Sequence, residues 1–109
     1  MNSRDKGARG ERLFSALCHS YGYDAVRRTA QYCGNTGDAA DCVGLPGIHI
    51  EVKFVEHLNY RKAMEQSIRD SKGNGLPIVA SKTSRKEWLI TMRADDWFKL
   101  YNEWRKNNG

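Results

Sequence analysis

The sequence predicts a single α/β or α+β domain built on one mixed sheet, with elements in the order α-β-β-β-α-β-β-α. Three observations carry this expectation. Apolar residues recur at helical spacing in three separate stretches, residues 48–54 alternate strictly, and glycine, proline or basic turns stand where one pattern gives way to another. With 109 residues and 39% hydrophobic content, including three Trp, five Tyr and three Phe, the chain can bury one core without a structural metal.

The first helix is expected over residues 9–21, where Leu13, Phe14, Leu17 and Tyr21 form a stripe and Gly22 ends it. A strand follows over 23–29, then a polar, glycine-bearing loop over 33–37. Strands over 39–45 and 48–55 flank the Pro46-Gly47 turn and make a hairpin. A second helix spans 59–71 with Tyr60, Ala63, Met64 and Ser67 inward, and Gly73 and Gly75 close it. Strands over 77–81 and 87–92 join through the basic turn at 82–86. The last helix runs over 94–106, with Asp95 and Asp96 at its positive end and Trp97, Leu100, Tyr101 and Trp104 on one stripe. That stripe is expected to lie in the core or to bury against a second subunit.

Composition narrows the function. A net charge of +5 suits a polyanionic partner, because every Lys or Arg that neutralises a phosphate releases counterions. Cys18, Cys33 and Cys42 are odd in number and show no paired spacing, so free thiols are expected; with His19, His49 and His57 they complete no zinc pattern. The charged opening of the chain and its short apolar runs predict a cytoplasmic protein with no signal peptide and no membrane span.

The residues that carry chemistry are Asp41 and the strand segment Glu51-Val52-Lys53. Strand alternation puts Glu51 and Lys53 on one face and Val52, with Ile50, on the other. The hairpin brings Asp41 beside Glu51, so two carboxylates and an ammonium are expected to converge at a sheet edge. Mg²⁺ is a hard cation usually held by one or two carboxylates plus substrate phosphate, and a neighbouring lysine stabilises charge that builds on the phosphate. Exposed Glu/Lys pairs are common surface features, so the added Asp41 is what makes the trio informative.

Taken together, these pieces resemble the PD-(D/E)XK nuclease superfamily, and within it the Holliday junction resolvase branch of archaeal Hjc-like enzymes and their phage and prophage relatives. The resemblance rests on Asp41…Glu51-Val52-Lys53, on Lys6-Gly7 followed by Glu11-Arg12, and on Gly22-Tyr23-Asp24-Ala25-Val26-Arg27. It covers residues 6–101. It implies a restriction-endonuclease-like α/β fold with a mixed five-stranded sheet flanked by helices. It implies a metal-dependent endodeoxyribonuclease in the cytoplasm of a bacterial host, using Mg²⁺, with Mn²⁺ able to substitute, and no nucleotide cofactor. The implied partner is branched DNA, and the implied assembly is a homodimer.

By the same resemblance Glu11, Asp41 and Glu51 are metal ligands, with the Val52 carbonyl completing the set; Lys53 is the catalytic lysine and Gln66 lines the site from the second helix. Glu11 lies on the edge of its helix's apolar stripe, roughly 100° from the centre, where a ligand rather than a core residue belongs. Ala39-Ala40 stand where the family has a proline before the strand aspartate, which leaves Asp38 a rival to Asp41. Arg4, Lys6, Arg9, Arg12, Arg27, Arg28, Arg61 and Lys62 are the expected DNA contacts, holding phosphates without reading sequence. Two other readings fit the same residues: a nicking or restriction-like phage endonuclease, and a DNA-binding module that has kept the fold without catalysis.

Overall fold

The structure, a computed structural model, describes residues 3–29 and 40–108. In chain order it forms α1 (Ser3–Ser20), β1 (Arg27–Arg28), β2 (Cys42–Val43), β3 (Ile48–Phe54), α2 (Tyr60–Ser71), β4 (Leu76–Lys82), β5 (Leu89–Met92) and α3 (Ala94–Asn108). The five strands make one sheet in the order β1-β2-β3-β4-β5. All pairs are antiparallel except β3 with β4. A parallel pair requires a crossover, and α2 supplies it. The fold is therefore α/β on a mixed sheet, as the sequence predicts.

Helices cover both faces of the β3–β4 pair. On one face Phe14 and Cys18 of α1 pack with Val26, Cys42, Ile50, Val52, Ile78 and Ala80. On the other, Ala63 and Met64 of α2 pack on Val79. Gly10 permits the first contact, since a Cβ there would lie 2.7 Å from the Cβ of Phe54. The helix backbone thus rests directly on the strand. Asn59 caps α2 by accepting from the Lys62 amide at 3.0 Å, and Lys72 ends it in the left-handed region at φ 51.

Besides the earlier start of α1 at Ser3 and the shortening of the strand expected over 39–45 to Cys42–Val43, the structure departs from the sequence reading at three places. The strand expected from residue 23 shrinks to Arg27–Arg28 because α1 ends in a Schellman motif. The Gly22 amide donates to the His19 carbonyl and the Tyr23 amide to that of Cys18, with Gly22 at φ 93. Tyr23 is thereby committed to the helix cap. Second, Leu13, Tyr21 and Tyr60 lie outside their expected inward stripes and are exposed.

Third, the aromatic stripe of α3 is not core. Trp97 and Trp104 are 48% and 56% exposed, and the buried residue of this helix is Asp96, tied to Arg93 at 3.0 Å. The rings of Trp97, Tyr101 and Trp104 stack on one another along the helix, with centroids 5.2 and 5.8 Å apart.

Candidate active site

Alternation along β3 sends Ile50, Val52 and Phe54 toward α1, and His49, Glu51 and Lys53 toward α2. Asp41 stands just before β2. Its amide donates to the Ile50 carbonyl at 2.9 Å, which extends the ladder by one step. Two residues further along β3, the Val52 amide donates not to a strand carbonyl but to Asp41 Oδ2, at 2.8 Å. In an extended strand a residue's N–H and C=O point the same way, so the Val52 carbonyl faces the Asp41 side as well. The shortness of β2 is what brings a carboxylate to this strand.

Glu51 is 3% exposed, and the Asp41 carboxyl lies close enough to act on it electrostatically. This corrects the expectation of a trio at a sheet edge: β3 is the middle strand, and α2 covers the face that Glu51 presents. Burial, and after it the Asp41 charge, push the Glu51 carboxyl up to about 9. His49 Nε2 lies 3.0 Å from Glu51 Oε1, and burial pushes that imidazole below its ordinary range. Burial disfavours the charged form of both groups, which weighs against an ion pair at this contact.

Lys53 Nζ donates to Gln66 Oε1 at 3.2 Å, which joins β3 to α2. Glu11 is 8% exposed on α1 and accepts from Arg28 Nε at 2.9 Å. Burial raises its carboxyl above the ordinary value, Arg28 lowers it, and the nearby Asp41 charge raises it. The structure therefore bonds Asp41 to the Val52 amide with Glu51 within its electrostatic reach, sets Lys53 against Gln66, and holds Glu11 within electrostatic reach of Asp41 but engaged by Arg28. Asp38 and Cys33 lie outside the described residues.

The donor set suits a hard cation. Asp41 and Glu51 offer oxygens, and their mutual repulsion is the penalty that a divalent ion removes. Among the described residues no group of three or more His, Cys, Asp or Glu side chains is gathered as a ready metal site. Two carboxylates are what Mg²⁺ commonly takes from a protein.

The expected DNA contacts separate into groups. Lys6 Nζ and the Arg9 guanidinium stand 5.5 and 5.8 Å from the centre of the Phe54 ring. Lys82, which the sequence reading passed over, stands 5.9 Å from the same ring. Three cations around one phenyl ring repel one another and suit an anion between them. Arg12, Arg27, Arg61 and Lys62 are exposed, and Arg28 is occupied by Glu11. Arg4 lies in α1, with its side chain outside the described set. His49 was also missed, although strand alternation places it on the Glu51 face two residues away.

No family model and no curated protein matches the chain. Among solved structures it is similar to Hjc of Archaeoglobus fulgidus, a Holliday junction resolvase from an archaeal hyperthermophile. The identity is 25%, over 79% of this chain and 76% of that one, with a TM-score of 0.60. No helix of the described residues is long and apolar enough to cross a membrane. The mixed five-stranded sheet with its three helices is thus the restriction-endonuclease-like α/β fold that the archaeal resolvase has.

Proposed function

We propose that this chain is a Mg²⁺-dependent DNA endonuclease that hydrolyses phosphodiester bonds of branched DNA, four-way junctions above all. The observation that carries the reading is the Asp41–Glu51 carboxyl pair, anchored on the Val52 amide and set beside Lys53, on the fold of a junction resolvase. Asp41, Glu51 and the Val52 carbonyl would hold the ion. When bound, Mg²⁺ supplies Lewis-acid polarisation of a phosphate oxygen, and Mn²⁺ would serve in its place. Lys53 offsets the negative charge that grows on the phosphate during attack, and Gln66 fixes its ammonium. Glu11, held by Arg28, adds negative potential behind Asp41. Lys6, Arg9 and Lys82 hold the flanking backbone without reading bases.

The enzyme would act as a homodimer, since a two-fold assembly matches the symmetry of a junction cut on two strands. Trp97, Phe98, Leu100, Tyr101 and Trp104 of α3, with Leu89 and Ile90 of β5, leave apolar side chains open to solvent.

Wild-type protein with Mg²⁺ is expected to cut a synthetic four-way junction at paired, two-fold-related positions and to spare a linear duplex with the same arm sequences. In sedimentation it is expected to travel as twice the 12.4 kDa chain. Junction, flap and duplex all left intact would sink the nuclease reading. Equal cutting of the linear duplex would replace it with a nicking or restriction-like activity, and a monomer at micromolar concentration would remove the dimer.

A further inference from the structure

A cavity of about 460 Å³ opens at the C-terminal ends of the parallel strands β3 and β4, between the start of α2 and the turn into β5. Ligands of α/β sheets gather at this end of the strands, and the volume lies in the range of small-molecule sites. Ser81, in its wall, pairs in register with Lys53 on the neighbouring strand and shares its face. The cavity therefore begins one strand spacing from Lys53, and Val55, the next residue on that face of the chain, lines it too.

Four features of the cavity point to one kind of ligand. Ser81 is 4% exposed, and its Oγ is the one buried side-chain nitrogen or oxygen among the described residues with no hydrogen-bond partner. Native structures rarely leave such a group unanswered. Tyr60, first residue of α2, stands half-exposed in the wall, where the helix N-terminus adds positive potential. Arg85 and Lys86 form the opposite lip in a turn closed by the Lys86 amide donating to the Thr83 carbonyl at 3.2 Å. Arg85 holds φ 65, a conformation in which glycine or asparagine is at home. Glu87, also in the wall, can only accept hydrogen bonds when ionised and suits a group bearing an amine.

An aromatic face, a buried hydroxyl, an acceptor and two cations together describe a nucleotide whose base is free to stack. Bases inside a duplex have both faces covered and their pairing edges used. We propose that this cavity holds one unpaired nucleotide of the DNA strand beside the bond cut at Lys53. Its base lies on Tyr60 and its phosphate between Arg85 and Lys86. The inference rests on the nuclease reading above and adds to it a requirement for a melted or bulged nucleotide next to the incision.

The test uses DNA with a single unpaired 2-aminopurine at a bulge, titrated with the full chain in Ca²⁺ to suppress cleavage. Wild type is expected to quench the fluorophore on binding; Tyr60→Phe keeps the quench, while Tyr60→Ala loses it and binds about 10- to 100-fold more weakly. Arg85→Gly is expected to weaken binding by about 3- to 10-fold while raising the melting temperature, because glycine relieves the left-handed turn. Loss of affinity in a more stable protein cannot come from misfolding. An unquenched probe under wild-type binding, or Tyr60→Ala and Arg85→Gly proteins that bind bulged and unbulged DNA as wild type does, would overturn the nucleotide site. Quenching by a protein that cuts nothing in Mg²⁺ would leave the nucleotide site standing and remove the nuclease reading instead.

Discussion

Replacing Glu51 by Gln is expected to make the metal-free protein more stable and its nuclease activity vanish. The cause is the burial of Glu51 against Asp41, which pushes its carboxyl from 4.5 in the unfolded chain to about 9 in the folded one. Between these values the native state holds a proton that the unfolded chain has released. Stability from this group is therefore complete below about 4.5 and is lost as pH rises toward about 9. The slope is at most ~1.4 kcal/mol per pH unit for one proton. Glutamine keeps the shape and the contact with His49 but cannot ionise. At pH 8 the Glu51→Gln protein should exceed metal-free wild type by about 2–4 kcal/mol, and its stability should vary less with pH. Mg²⁺ should recover part of the wild-type deficit and do nothing for the variant. Cleavage should fall by about 10²–10³-fold or more. Urea unfolding across pH 5–9, with and without Mg²⁺, checks the claim, and parallel pH profiles for the two proteins would refute it.

Lys53→Ala is expected to do the converse, leaving stability within ~0.5 kcal/mol of wild type while slowing cleavage by about 10²–10³-fold. The ammonium is only partly buried and has a side-chain hydrogen bond to Gln66 at 3.2 Å, so its removal opens no core cavity. On the proposed mechanism Gln66 acts through Lys53 as a positioning residue. Gln66→Ala alone should cost about 10-fold in rate, yet add nothing once Lys53 is already alanine. Single-turnover rates for the two single variants and the double variant make this cycle. A Gln66→Ala effect that persists in full on the Lys53→Ala background would show that Gln66 has a separate role.

Much of this architecture was legible because the signals are local. The Ile48–Phe54 alternation and the Pro46-Gly47 turn each act within a few residues, and the structure keeps both. The failures share the opposite character. Nothing near Tyr23 announces that its amide is spent on the Cys18 carbonyl, so its aromatic, strand-like composition misleads. The α3 stripe has the spacing of a core helix, and periodicity cannot say whether a neighbour exists to cover it. In the site, the Glu51–Lys53 face follows from the strand period alone. The depth of Glu51 depends on strand order, which places β3 third of five. Likewise Arg28 looked like a free phosphate ligand until the sheet laid it against Glu11, seventeen residues away in the chain.

Gly10 ties these functions together mechanically. Because its bare backbone touches Phe54, the clearance between α1 and β3 is set at one point. Lys6, Arg9 and Glu11 ride on the same rigid rod around it. On the proposed nuclease reading, a shift of the helix at that contact would move the cations that hold the DNA backbone and the acid behind Asp41 as one part. The geometry of substrate holding and that of the charge around the carboxyl pair are in this sense geared to each other, and the gear tooth is a missing side chain.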